Sequence, residues 1–430
     1  MTRPLEIRPA QNEEVDRQAL CQLHARFLAV NQSRLHRAIE ALLPAQQTTL
    51  KLMALLFHVN DPLLPGYVSD WTPAGVSGYA PDVSTLDIAQ MLVGDFAYSP
   101  VLRQPQTIYA LYLMGSLGTL AQTEQSDMDV WICHASDLDD HALASLRNKC
   151  QRLEDWAASR GSEVHFFLID AQRFAQGERG PTCGVDDSMG AQPTLLLDEF
   201  YRTAIWLAGR TPLWWWVPEC EEARYAEVIH TLQTQSLINA HEVIDLGHLS
   251  HIPADEFLGA GLRQLFKGIE SPYKAVLKLL LVEVYASEHP RVNCLSLRFK
   301  RAMHAQQLDL DELDPYVMVY RRIEDYLRGR GDVQRLELVR RSLYLKTNIK
   351  LTGQAVTRGS QWQRALLKRL TAEWGWNEQQ LAQLDNRAQC KAEPDRLERL
   401  ALSRELNDSY LFLSQLAQQD HAIRVPVHSV

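Results

Sequence analysis

Asp127 and Asp129 stand two residues apart in SDMDVWICH, inside an otherwise apolar run. If that run is a strand, both side chains leave one face, with Cα atoms about 6.5 Å apart. Two carboxylates so placed reach one or two shared divalent cations. Two cations about 3.5–4 Å apart can hold an attacking and a leaving oxygen in line at phosphorus. Oxygen-only ligands favour magnesium or manganese over zinc. A D-x-D alone is also a common product of solvated strand edges. The flanks argue against that here. Val130, Trp131 and Ile132 read as a buried strand, where two close carboxylates are costly without a counter-ion. Upstream, Gly115 lets the backbone approach a phosphate closely, and Ser116 adds a hydroxyl and an amide donor.

The elements that must position these residues are legible in outline. IYALYLMG reads as a strand, MDVWIC as a second and EVHFFLID as a third. Residues 137–160 form a helical pattern with acidic residues at its start, and Gly161 suits its C-cap. TLLLDEFYRTAIWLAG reads as a further helix and PLWWWVP as a short apolar strand. This order predicts an α+β protein: a small mixed sheet with flanking helices, then a mostly helical C-terminal domain. Before it, residues 12–58 read as helices and 59–83 as a Pro-, Gly- and Asp-rich loop. A short helix then opens at STLDIAQMLV, capped by Ser84. The expected division is a helical segment at 1–84, a catalytic domain at 85–253 and a helical domain at 254–430 that closes the site. In the last part Ser271-Pro272 reads as an N-cap and N1 pair. Further helices are expected near 313–328, 333–348, 360–374, 377–386 and 394–419. Residues 176–194 carry several glycines and no periodicity and read as a mobile loop. The last residues, IRVPVHSV, read as a truncation.

Composition narrows the function. The 430 residues carry 46% hydrophobic and 23% charged side chains and a formal net charge of -9. Phosphate neutralisation supplies most nucleic-acid affinity, so a local basic pocket for a small anion fits better than a polynucleotide surface. No apolar run is long enough for a transmembrane helix, and the N-terminus lacks a signal core, so a cytoplasmic protein is expected. The seven cysteines form no C-x-x-C pair.

Gly-Ser, a short loop and D-x-D in a strand resemble the nucleotidyltransferase fold shared with DNA polymerase β. Longer blocks go further. MGS…SDMDVWICH, RNKCQRLEDWAASRGSEVHFFLID, LLLDEFYRTAIWLAG and SPYKAVLK resemble class I adenylate cyclases of enteric and related bacteria, over roughly residues 12–420. The resemblance implies cyclisation of ATP to 3′,5′-cyclic AMP with release of pyrophosphate. It also implies a C-terminal regulatory region or a regulatory protein as partner, and no nucleic-acid partner. Gly115 and Ser116 match the family's Gly-Ser turn, and Ser126, Asp127, Asp129 and Trp131 match its S-D-x-D-x-W segment. Leu117, Leu120 and Glu124 depart from the family's small polar loop residues.

The resemblance further implies a third carboxylate on a neighbouring strand. Glu163 is the first choice and Asp170 the second; a surface strand end would explain either. His165 shares the predicted face of Glu163, where a structural histidine is the plainer reading. Triphosphate binding needs cations. Arg202, Arg210, Lys274 and Lys278 are the candidates, against the plain reading of each as a solvated surface cation. Arg210 replaces a lysine of the family. Asp198 and Glu199 are expected to form structural ion pairs near these bases. Several signals carry less. His241, His248 and His251 lack zinc spacing, and Trp214-Trp215-Trp216 suits a packed strand as well as base stacking. No Walker A sequence occurs, and Arg330-Gly331-Asp332 is expected in a turn. Two other functions fit the same residues: transfer of AMP to a protein or small acceptor, and nucleotide sensing without catalysis.

Overall fold

The computed structural model describes residues 13–99, 106–177, 193–249, 251–352, 360–389 and 396–424. Three helices come first: α1 (Glu13–Glu40), α2 (Pro44–His58) and α3 (Val83–Leu92). The middle runs β1 (Ile108–Met114), β2 (Met128–His134), α4 (Asp140–Ser159), β3 (Val164–Asp170), α5 (Ala171–Ala175), α6 (Pro193–Thr203) and β4 (Ile205–Gly209). Then come β5 (Thr211–Pro212), α7 (Tyr225–Thr234) and β6 (Val243–Ile244). The remainder is helical: α8 (Ala254–Lys267), α9 (Pro272–Ser287), α10 (Leu295–His304), α11 (Pro315–Gly329), α12 (Val333–Thr347), α13 (Gln361–Glu373), α14 (Glu378–Gln389) and α15 (Arg396–Arg424). The architecture is α+β, as expected.

The main sheet has the order β3-β2-β1-β4. β1 is antiparallel to both β2 and β4, and β2 is parallel to β3. Helix α4 makes the crossover between the parallel pair. Asp139 caps its N-terminus by accepting from the Ala142 amide at 2.7 Å. At its other end Gly161 takes a φ of +73°, and the Ser162 amide returns to the Ala157 carbonyl at 2.9 Å. That is the Schellman closure that the glycine permits.

Strand alternation divides the sheet between two cores. Val130, Ile132, Leu111, Leu113, Phe166 and Leu168 pack with α2 and α4. Trp131, Cys133, Tyr112 and Met114 face the other way, into a core shared with α6 and the later helices. On this second face Trp131 stacks on Phe200 of α6 at 4.8 Å. Burying one such aromatic contributes roughly 1.5–3 kcal/mol.

Four local expectations need correction. The apolar run after α6 is not helical throughout: the helix ends at Thr203, and Ile205–Gly209 forms β4 against β1. The three tryptophans lie in a 3-10 turn, Leu213–Trp216. There Trp214 stacks on Tyr201 at 4.0 Å and donates to Glu222 at 2.7 Å, so its ring and N–H are already engaged. Asp82, not Ser84, caps α3 by accepting from the Thr85 amide. Ser271 precedes Pro272 at N1 but makes no side-chain cap bond. The helices expected after residue 313 are present within a few residues of their bounds, and Arg330-Gly331 forms the α11–α12 turn. The expected mobile loop falls almost wholly outside the described residues, and so do the last residues, 425–430. Among the described residues, no helix is long and apolar enough to cross a membrane.

Candidate active site

The β1–β2 connection, residues 115–127, builds the site. Register puts Asp129 opposite Met114 at the end of β1. Gly115 must then turn the chain with a φ of +94°, which an L side chain rarely adopts; a Cβ there would sit 3.5 Å from Asp129 Oδ2. At Gly118 the φ is +70°, and a Cβ would collide with the Arg34 carbonyl at 2.7 Å and with Ile205 at 2.9 Å. The loop therefore packs tightly on α1 and β4 at Gly118, and at Gly115 its backbone runs beside the Asp129 carboxylate.

The helices after β6 clamp this loop through its backbone. Asp314, the N-cap of α11, accepts from the Leu120 amide at 2.7 Å as well as from Tyr316 and Val317. Burial pushes its carboxyl up to about 6 despite these bonds. Gln363 of α13 donates to the carbonyls of Thr119, Leu120 and Gln122. Leu117 and Leu120, which depart from the family pattern, are fully buried. Their apolar side chains anchor the loop to the core.

Asp127 and Asp129 are half-buried at the open end of β2. Among the described residues neither forms an ion pair. Burial, followed by the neighbouring Asp127, pushes Asp129 up to about 6, while His165, Lys274 and Lys278 partly offset the rise. This carboxylate is short of counter-charge. In the parallel β2–β3 pair His165 lies opposite Asp129, and Glu163 sits one step before Val164, the partner of Met128. The Glu163 carboxylate is exposed, 3.3 Å from His165 Nε2. Among the described residues no three His, Cys, Asp or Glu side chains converge into a formed metal cage.

The cations come from α9. Lys278 pairs with Glu199 of α6 at 2.7 Å. Burial alone would raise Glu199, but Lys278 and Arg202 overcome it and hold the carboxyl down at about 2. Lys274, one turn earlier, forms no ion pair among the described residues and contributes to the field at Asp129. Burial, then Lys278 and Lys274, lower Lys267. Lys346, in the last turn of α12, is lowered to about 8 by burial and then Lys274, with Asp127 opposing. The four lysines share one electropositive region.

The structure thus gathers Gly115, Asp127, Asp129, Lys274 and Lys278, while Glu163 stands beside Asp127 by strand register only, its carboxylate exposed against His165. It turns Ser116 and Ser126 inward: their hydroxyls meet at 3.1 Å, and Ser126 Oγ also accepts from the Thr123 amide. Trp131 follows the aspartates on the same face but is covered by α6, so it is core rather than ligand surface. Arg202, in the last turn of α6, is buried and reaches the Pro315 carbonyl at 3.5 Å. Arg210 lies at the far end of the sheet. Its amide donates to Tyr109, five residues and about 16 Å along β1 from Met114, and its guanidinium stacks 3.7 Å over the Tyr109 ring. Asp170 is equally remote, opposite His134, where it caps α5 and accepts from Ser136. Glu199 forms the expected ion pair, whereas Asp198 is held by hydrogen bonds from Tyr285 and Ser296. The sequence reading missed Lys267 and Lys346. No local signal marks either, because only the tertiary fold brings them to the loop.

These features define a class: an α+β protein whose sheet holds, at the start of an inner strand, an under-compensated carboxylate pair near lysines supplied by a helical segment. Comparison with known proteins gives the family. Residues 19–215 match the family model "Adenylate cyclase NT domain", and residues 252–428 match "Adenylate cyclase, class-I, second domain". The adenylate cyclase of Escherichia coli (strain K12) is 42% identical over 402 residues, which is 93% of this chain and 47% of the relative. Those of Salmonella typhimurium and Proteus mirabilis are 41% and 37% identical, over the same 93% of this chain. The chain belongs to the class-I adenylate cyclase family. It spans about half the length of the curated relatives it matches.

Proposed function

We propose that the chain binds ATP and forms 3′,5′-cyclic AMP and pyrophosphate at the open end of β2. The observation that carries this reading is the Asp127/Asp129 pair, short of counter-charge and facing Lys274 and Lys278, in a chain of this family. We read the sheet as a nucleotidyltransferase fold, with the helices from residue 254 onward closing the nucleotide site. The donor set fits a hard divalent cation, magnesium or manganese, because it offers carboxylate oxygens where charge is missing. Asp127, Asp129 and Glu163 would hold it, and when bound it supplies positive charge at the α-phosphate.

The chain's own residues do the rest. The Gly115 turn brings backbone up to the phosphates. Lys274 and Lys278 hold the β- and γ-phosphates, and the Glu199 partnership keeps Lys278 charged and oriented. Glu163 draws the proton from the ribose 3′-hydroxyl. The 3′-oxygen forms a bond to the α-phosphorus, the bond to the bridging oxygen breaks, and pyrophosphate leaves. Trp131 and Arg202 act from beneath, by packing and by charge. The remaining half of the relatives' length is where regulation, or a regulatory partner, would act.

Incubation with α-labelled ATP and magnesium tests the reading. Labelled cyclic AMP with stoichiometric pyrophosphate is expected. Label on a macromolecule would replace cyclisation with AMP transfer. ATP retained without pyrophosphate release would make the protein a sensor.

A further inference from the structure

Among the described residues, most buried lysines outside the site are matched to their surroundings. Lys300 pairs with Glu222 at 2.8 Å and lies over the Trp214 ring. Lys149 has both the Val59 carbonyl at 3.1 Å and the Asn60 side chain at 2.8 Å. Lys346 is different. Its ammonium donates to one acceptor, the Ala121 carbonyl at 3.2 Å, and forms no ion pair among the described residues. An ammonium has three donors, so two N–H groups of a half-buried cation are left for something else. Its charged neighbours are Asp127, Lys274 and Lys278, the two sides of the site described above. Lysines brought this close repel one another. Glu199 offsets Lys278, but Lys274 and Lys346 form no ion pair among the described residues, which leaves positive charge beside the carboxylate pair for an anion to meet.

We propose that Lys346 is a further triphosphate-binding residue, parked on the Ala121 carbonyl until the polyphosphate arrives. The inference rests on the cyclase reading and extends it. It gives α12 a direct part in substrate recognition and links the clamped loop to ligand occupancy.

The test uses inorganic tripolyphosphate as the probe, titrated calorimetrically into the protein with magnesium present. Lys346→Gln keeps a donor for Ala121 but removes the charge; Lys346→Met removes both; Lys346→Arg keeps the charge. Tripolyphosphate binding should weaken roughly tenfold or more in the Gln and Met variants, and Arg should retain most of it. Hydrogen exchange at the amides of residues 118–122 reports the loop separately. If the Gln variant binds tripolyphosphate like the wild type, the proposal is overturned, whatever the Met variant does. Should the Met variant not fold, the Gln variant still decides. A wild-type protein that binds no tripolyphosphate overturns the cyclase reading. A wild type that binds it, with the Gln variant unaffected, overturns only the role of Lys346.

Discussion

At the open end of β2, Asp127 and Asp129 lie near Lys274 and Lys346 with no ion pair formed among the described residues. Between α9, α12 and α15 the opposite holds. Arg335 bonds Glu283 at 2.7 Å and Glu405 at 2.6 Å, while Tyr326 and Ser409 fill the remaining positions on Glu283. Both carboxylates there are almost wholly buried, and each bonds Arg335 directly, although burial and the neighbouring Glu283 still leave Glu405 raised. Burial would raise Glu283, but the bonds from Arg335 overcome it and lower the group. Burial raises Asp129 instead, and His165, Lys274 and Lys278 offset only part of the rise. Matched buried charge is architecture. Unmatched charge held in place by glycine turns and a clamped loop is a site awaiting a ligand.

The largest expected effect breaks the unmatched side. Asp129→Asn should lower cyclic AMP formation roughly a thousandfold or more, about 4 kcal/mol in the barrier. Stability should move the other way. A carboxyl raised from about 4 to about 6 destabilises the fold where it is ionised. The cost sets in between those values as pH rises and is complete above about 6. Without metal at pH 8 the Asn variant should therefore be more stable by about 1–2 kcal/mol, and no more stable at pH 4. Paired activity and thermal melts read both. Activity loss with an equal stability loss at pH 8 would mean the aspartate is architectural.

Breaking the matched side should give the reverse pattern. Arg335→Met strands two buried carboxylates and should destabilise by about 3 kcal/mol. Denaturant titration measures it. A loss below about 1 kcal/mol would show that Glu283 and Glu405 take up protons at little cost. In that case the network does not set the position of α9 and its lysines.

How far this contrast could be seen beforehand depends on range. The carboxylate pair was legible because strand alternation is a local rule, and the Gly115 turn because a β1–β2 connection needs a backbone that tolerates positive φ. Gly161 ended α4 for the same local reason. The end of α6 was not legible. Thr203-Ala204 carries no glycine or proline, and β4 exists because β1 offers an edge to pair with. Arg210 shows the same limit: it follows a helix-like run and looked close to the site, but β4 carries it to the other end of β1. Lys346 contacts a residue 225 positions away, and no spacing rule reaches that far. Trp131 was legible as part of a buried strand, but the element that covers it was not, because Phe200 comes from α6.

A third test concerns Lys149, matched only by neutral groups. Its acceptors are a carbonyl and an amide oxygen, and burial lowers its pKa to about 7. The unfolded lysine titrates near 10.5, so between those values the unfolded chain holds more protons and stability rises with pH. The wild type should thus gain about 1–2 kcal/mol on Lys149→Met between pH 7 and pH 10. A difference that stays flat with pH would place an unseen counter-charge beside the ammonium.

The smallest effect belongs to a pair that is matched but wet. Arg301 meets Glu219 through two bonds, at 2.6 and 3.2 Å. On distance alone it rivals the Arg335 network. Its side chain is 55% exposed, however, and water competes for both partners. An exposed pair of this kind contributes about 0.5 kcal/mol or less, and salt screens even that. Arg301→Ala should shift the unfolding midpoint barely at all, and the shift should vanish in high salt. A larger loss that persists in salt would have a definite meaning. Glu219 opens the 3-10 turn Glu219–Arg224, which carries Glu222, the partner of fully buried Lys300. The exposed pair would then be holding that turn in register for the buried one, and its energy would arise from Lys300 rather than from the surface.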